Sequence, residues 1–207
     1  LFAVFIAVPI VLCLKFLSPL VDVRFGYFFV DRIGHFVFDL EYYFSKKKQE
    51  LMKKKTVDIF FTKGRPCNKT LVKVLNRELH VHPMVFFLFE AERIVFGGRK
   101  NLLPARINTG SQDPDGIFSK APQGVEYFLD NEEALGEQYL RNLGCNGEKF
   151  VCLIVRDAEY LRTIHGQKNW DYHSYRDTSI VNYAKTIEFL VEMGYWVFRM
   201  GKSVIRC

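Results

Sequence analysis

Short apolar runs of strand type alternate with helical stretches along this chain, and that alternation restricts the fold more than any other feature. Residues 23–30 read as a strand, 31–34 as a turn, and about 35–54 as a helix. Residues 57–61 are a second short strand closed by Lys63-Gly64-Arg65-Pro66, and Leu71, Val72, Leu75 and Leu79 recur at helical spacing within 69–79. Strand, helix, strand, helix predicts a parallel sheet, because parallel neighbours need a crossover long enough to hold a helix. Residues 84–96 are apolar and fit helix or strand equally, and 131–142 read as a helix.

A second unit begins near residue 149. Residues 150–155 form a buried-type strand, and Ile180, Tyr183, Ala184, Ile187, Leu190 and Val191 give the helical period to 178–193, with Asp177 able to cap it and Gly194 to end it. Residues 195–198 are the next strand. This is one βαβ unit, which cannot bury both faces of its sheet alone. Between the two units the segment 104–124 collects Pro104, Pro114, Pro122, Gly110, Gly116 and Gly124, so it reads as a functional loop or an interdomain passage. The chain opens on Leu1 and stops at Cys207 just past a strand, which reads as a fragment with a truncated second domain.

Residues 1–21, LFAVFIAVPIVLCLKFLSPLV, carry one charge, Lys15. The uninterrupted apolar run is 14 residues, short of the roughly 20 a spanning helix needs, although Lys15 on its long stem can reach an interface. Residues 16–19 offer no small-residue cleavage site of the signal-peptide kind. The expectation is an apolar membrane-associating helix over 1–21, spanning or interfacial, with a buried core helix as the competing reading and Pro9 kinking either. Two lysine triplets, Lys46-Lys47-Lys48 and Lys53-Lys54-Lys55, lie seven residues apart on similar helix faces and suit anionic headgroups or plain solvent. The net charge of +6 fits meeting anions, but the lysine run lacks interleaved aromatics or any recognition motif, which excludes nucleic acid as the expected partner. Five cysteines without C-x-x-C spacing imply neither a disulfide framework nor a zinc ribbon, and suit a reducing compartment.

Ligands of an open α/β sheet bind beyond the carboxyl ends of its strands, and three such loops carry arginine. Arg32-Ile33-Gly34-His35 follows the first strand, Arg156-Asp157 follows 150–155, and Arg199-Met200-Gly201-Lys202 follows the last. A guanidinium fork and a helix N-terminus both suit phosphate. Residues 170–177, with Trp170, Tyr172, His173, Tyr175 and Arg176, are a capping segment or a ligand loop. His80-Val81-His82 has the alternate spacing of two metal ligands but no acidic or Cys partner nearby, and Asp113-Pro114-Asp115 lies in a Pro/Gly loop that fits a turn better than a metal-nucleotide pair. No Walker A, G-x-G-x-x-G or G-x-S-x-G sequence is present.

Arg32-Ile33-Gly34-His35-Phe36 with Glu41-Tyr42-Tyr43, Val155-Arg156-Asp157-Ala158-Glu159-Tyr160-Leu161, His173-Ser174-Tyr175-Arg176-Asp177 and Gly194-Tyr195-Trp196-Val197-Phe198-Arg199-Met200-Gly201 together resemble a family of bacterial glycosyltransferases associated with surface-polysaccharide biosynthesis. The resemblance is densest at 23–43 and 150–201 and weak across 84–130. It implies a GT-B-like α/β fold: an apolar helix over 1–21, an acceptor-side Rossmann-like domain over 22–129, a connecting helix and linker over 130–148, and the start of a truncated nucleotide-sugar domain over 149–207. It also implies metal-independent transfer from a nucleotide sugar to a surface-polysaccharide or lipid-linked acceptor, with no other cofactor, at the cytoplasmic face of the bacterial inner membrane. In that picture His35 is the base, Arg32, Gly34 and Glu41 belong to the acceptor-side loop, and Arg156, Arg176, Arg199, Gly201 and Lys202 hold the donor phosphates. The rival expectation is a non-catalytic, membrane-attached module that binds anionic lipid or polysaccharide.

Overall fold

β1 (Asp22–Phe29) and β2 (Thr56–Lys63) run parallel, in register from Asp22↔Thr56 to Phe29↔Lys63. The computed structural model describes residues 2–50, 56–95, 97, 99–103, 113, 116–120, 128–166, 169 and 171–201. The chain divides into two compact units, 1–129 and 130–207, and the described strands of each form a parallel sheet. The fold is therefore mixed α/β.

In the first unit α2 (Ile33–Glu50) crosses from β1 to β2, and α3 (Lys69–Glu78) crosses from β2 to β3 (His80–Val81). Asn68 starts α3 by accepting from the backbone N–H groups of Thr70 at 2.8 Å and Leu71 at 3.0 Å. Phe36, Leu40 and Tyr43 of α2, one stripe of the helix, pack with Leu75 and Leu79 against Phe28, Val30 and Phe60. The other face of the sheet, with Phe25 and Phe61, is covered by α4 (Val85–Ile94) and by Ala7 and Val11 of α1 (Phe2–Phe16). Both faces are covered by helices, so the strands read as nearly continuous apolar runs.

After α4 the chain returns beside β1. Phe25 donates its N–H to the Asn101 carbonyl (2.8 Å) and accepts from the Leu103 N–H (2.8 Å), while the Asn101 amide donates to the Val23 carbonyl (2.9 Å) and to Asp22 (3.2 Å). Because Phe25 uses both backbone groups on this segment, the contact is on the edge of β1 away from β2. The crossing direction reverses there, which makes the carboxyl end of β1 a topological switch point.

The helix expected over 1–21 ends at Phe16, followed by a turn through Leu20 into β1. At 15 residues it is about 22 Å long, and no helix of the described residues is long and apolar enough to cross a membrane. It is not a self-contained segment, since Ala7 and Val11 are buried against α4 while Phe2, Phe5, Ile6 and Phe16 are exposed. Lys15 turns inward and pairs with Glu92 of α4 at 2.8 Å. Glu92 is fully buried, and its Oε2 has no hydrogen-bond partner among the described residues.

In the second unit α6 (Asp130–Asn142) precedes β4 (Phe150–Ile154), α7 (Glu159–His165), 3₁₀ turns at Asp171–Arg176 and Ile180–Tyr183, α8 (Ala184–Glu192) and β5 (Trp196–Met200). The strands pair from Phe150↔Trp196 to Ile154↔Met200. The helix expected over 178–193 thus opens as a 3₁₀ turn, and its cap is Ser179, whose Oγ accepts from the Val181 N–H, because Ser179 immediately precedes the first turn and Asp177 does not. Gly194 ends α8 at φ +81°, with the Tyr195 N–H on the Leu190 carbonyl at 3.0 Å. Phe150, Cys152 and Ile154 are exposed.

One polar group is built into the first sheet. Asp58 stands directly across from Arg24, which holds it through Nε to Oδ1 (2.7 Å) and Nη2 to Oδ2 (2.9 Å), and the Tyr43 hydroxyl of α2 donates to Oδ2 at 2.7 Å. Burial pushes this carboxyl up, but the hydrogen bonds from Arg24 and Tyr43 and the charges of Arg24 and Lys47 outweigh it, so the group lies below the ordinary carboxylate range. The folded value is the depressed one, so this stabilisation is complete above about pH 4 and is lost as pH falls through the folded value. Asp58→Asn, which leaves Arg24 facing a neutral group, is expected to cost about 3 kcal/mol in urea unfolding at pH 7. The gap from the parent protein should shrink below pH 4 as Asp58 itself is protonated.

Candidate functional site

The carboxyl edges of the two sheets are where the sequence directs attention. In the first unit the turn after β1 is shorter than 31–34, because Ile33 is already helical and the Phe36 N–H reaches the Arg32 carbonyl at 2.9 Å. Gly34 and His35 therefore stand in the first turn of α2, not in a loop, and Arg32 directly precedes the helix. His35 is half-buried. Glu41 is eight residues beyond Ile33, about 12 Å along the axis, so it does not belong to that edge. A Cβ on Gly34 would meet nothing within 4 Å, so protein packing does not require glycine there.

In the second unit a cleft of about 360 Å³ opens at the carboxyl ends of β4 and β5, lined by Asp157, Ala158, Arg162, Asp177, Thr178, Ser179, Ile180 and Arg199. Two helix starts border it. Ala158 immediately precedes α7, and Thr178 to Ile180 open the 3₁₀ turn that leads into α8. Arg199 Nη2 pairs with Asp157 Oδ2 at 3.2 Å, and Arg156 Nε lies 3.6 Å from Asp177 Oδ1. The Thr178 N–H on the Arg156 carbonyl (3.0 Å) ties the end of β4 to the start of the second helix. Asp157 also accepts from the Glu159 N–H at 3.0 Å and so steadies the start of α7.

The structure thus brings Arg156 and Arg199 to one edge, as their positions after β4 and inside β5 dictate. Arg199 donates to Asp157, and Arg156, which is not itself in the cleft lining, stands within ion-pair range of Asp177, so each guanidinium has a carboxylate beside it. Arg156 Nη1 is buried without a hydrogen-bond partner among the described residues. Arg176 is not part of the cleft lining: it is exposed, with its guanidinium 5.0 Å from the Tyr175 ring and its Nε donating to the Tyr175 hydroxyl at 2.7 Å. Gly201 follows β5 at φ +152°. Lys202, Trp170, Asp115, Lys53, Lys54 and Lys55 lie outside the described residues, as do the side chains of His173 and Lys48.

Arg162, Thr178 and Ser179 are cleft residues that sequence reasoning missed. Arg162 sits one turn into α7, a seven-residue helix hidden in a polar stretch. The pairing of Asp157 and Asp177 with the arginines also has no local signature, since Arg199 and Asp157 are 42 positions apart. Elsewhere the singled-out residues have local structural uses: His82 Nδ1 accepts the Met84 N–H at 3.2 Å before α4, and Asp113 accepts from Ile117 and Phe118 N–H, both at 2.8 Å, at the start of α5 (Ile117–Lys120). Among the described residues no cluster of three His, Cys, Asp or Glu is arranged to hold a metal ion.

No family model, curated protein or solved structure matches the chain.

Because the space before Gly34 is open, Gly34→Ala is expected to raise stability by about 0.5 kcal/mol, through a less flexible unfolded chain. Thermal or urea unfolding checks this, and a destabilised variant would mean that the first turn of α2 needs glycine for its own geometry.

Proposed function

We propose that the chain is part of a glycosyltransferase that takes a sugar from a nucleotide sugar and delivers it to a lipid-linked or polysaccharide acceptor without a metal ion. The observation that carries the reading is the cleft at the β4/β5 edge, where Arg162 and Arg199, the Asp157 and Asp177 carboxylates and two helix starts converge, with Arg156 beside Asp177. A sugar diphosphate offers anionic oxygens and hydroxyl groups together. Guanidinium forks and backbone N–H groups suit the former, and carboxylates suit the latter. The two arginines of the lining balance its two aspartates, and Arg156, 3.6 Å from Asp177, adds a third guanidinium beside it. Charge developing on the departing diphosphate would meet donors already fixed in direction, the arrangement that lowers a barrier without solvent reorganisation.

In this reading His35, in the first turn of α2, takes the proton of the acceptor hydroxyl, and the neighbouring backbone of Arg32 and Gly34 gives the acceptor room. The exposed apolar side chains of α1, Phe2, Phe5, Ile6, Ile10 and Phe16, support attachment to a membrane surface, with the N-terminal helix lying in the interface. The cytoplasmic side of a bacterial inner membrane, where nucleotide sugars and lipid-linked acceptors meet, rests on the family resemblance.

The test is calorimetric titration with UDP-glucose and GDP-mannose, at low and high salt and with EDTA. At least one should bind, with affinity unchanged by EDTA and reduced by salt. Arg199→Ala should weaken that binding about 10-fold, the loss of one charge-assisted contact. Absence of binding by both donors, or equal binding by the arginine variant, would sink the assignment of this cleft. In a protein that joins this chain to a complete nucleotide-sugar domain, His35→Ala should then abolish transfer to a membrane-lipid extract while leaving donor affinity intact.

A further inference from the structure

A second cleft, in the first unit, has a different chemistry. It is about 540 Å³ and lies between the carboxyl ends of β1 and β2, the flank of α4 that carries Phe86, Phe89, Glu90 and Arg93, and the segment returning beside β1. Its walls are Tyr27, Phe61, Phe86 and Phe89, whose rings meet mostly edge to face at 5.2 to 5.5 Å. The volume is in the range of small-molecule sites, and such sites combine an apolar lining with a few polar groups that set orientation.

Three cations rim this aromatic wall: Lys63, Arg93 and Arg99. Arg93 is committed to Glu90, both of whose carboxylate oxygens it holds, at 3.1 and 2.9 Å. Lys63 has its ammonium over the Tyr27 ring at 5.2 Å and the Phe29 ring at 5.6 Å, and no carboxylate pairs with it among the described residues. Arg99 has no side-chain hydrogen bond or ion pair among the described residues. It is also, among the described residues, the one non-glycine held at positive φ, +74°. Glycine adopts that conformation freely and arginine does not, and side chains held this way concentrate at ligand sites. Among the described residues the cleft therefore keeps two cations with no paired carboxylate beside an aromatic surface.

We propose that this cleft binds a phosphate ester of an apolar alcohol. The apolar body packs on Phe61, Phe86 and Phe89, and the phosphate is held by the Arg99 fork and the Lys63 ammonium. A monoester at neutral pH carries close to two negative charges, matching two cations, and the planar guanidinium fits two phosphate oxygens at once. A neutral alcohol would leave the cations unsatisfied, and inorganic phosphate would leave the aromatic wall in water. The inference does not depend on the assignment of the β4/β5 cleft, and either can fail alone.

Two esters distinguish the kind of apolar body: geranyl phosphate, a branched chain, and 1-naphthyl phosphate, a planar ring. Each is titrated calorimetrically into the full chain beside inorganic phosphate, geraniol and 1-naphthol. At least one ester should bind with 1:1 stoichiometry and about 10-fold or more tighter than both inorganic phosphate and its parent alcohol. Arg99→Gly should weaken that ester about 10-fold while the thermal midpoint stays level or rises, because the positive φ suits glycine better. Phe86→Ala, at a partly exposed position, should weaken the ester and leave inorganic phosphate unaffected. Arg199→Ala should leave the ester unaffected. Esters that bind no tighter than phosphate or the alcohol would overturn the proposal, as would undiminished binding in Arg99→Gly or loss of binding in Arg199→Ala.

Discussion

A carboxylate buried in a sheet is tolerable only if its partners are fixed, and Asp58 imposes that condition on the first unit. Arg24 must lie across from it in β1, which sets the register of the two strands, and Tyr43 must come down from α2, which sets how that helix lies on the sheet. A one-residue slip would turn Arg24 to the opposite face and leave the charge alone in apolar packing. The same face holds Gly26 opposite Phe60, whose ring occupies the space a side chain would need: a Cβ on Gly26 would sit 2.8 Å from Phe60 Cε1. Polar pairing and ring packing therefore specify one register together.

That register decides what stands at the far end of the strands. With Phe29 level with Lys63, the carboxyl ends of β1 and β2 finish together. The chain passes from there into α2 on one side of the sheet, and α4 and the returning segment close around Tyr27 and Phe61 on the other. The second unit has the same parallel pairing, with β4 and β5 ending level, Arg156 and Asp157 just after β4 and Arg199 within the end of β5. In the first unit apolar packing holds the strands, and in both the ends are left to charged and polar groups.

The periodic parts of this arrangement were legible in the sequence. The alternation of strand and helix predicts β1, α2, β2, α3, β4 and β5, because each carries a repeated apolar signal of its own. What was hidden is what has too few residues to repeat. β3 is two residues long, α7 is seven, and the bridge at Leu102 is a single pair. Within 84–96, Val85–Ile94 is helix because Val85, Phe89 and Glu92 face inward at helical spacing, a pattern obscured by apolar residues on its outer side as well. Arg156 and Arg199 were legible as residues of strand ends, whereas their aspartate partners and the contribution of Arg162 depend on chain separations that no local pattern encodes.

The Lys15 to Glu92 pair has a bearing on motion. Lifting α1 away from α4 would separate the ammonium from a carboxylate that is itself fully buried and has one oxygen already lacking a hydrogen bond among the described residues. Leaving that charge alone in the interior is costly, so a partial detachment of the N-terminal helix is a poor intermediate. α1 and α4 therefore open as one cooperative unit. Their backbone amides should share a common exchange behaviour with solvent.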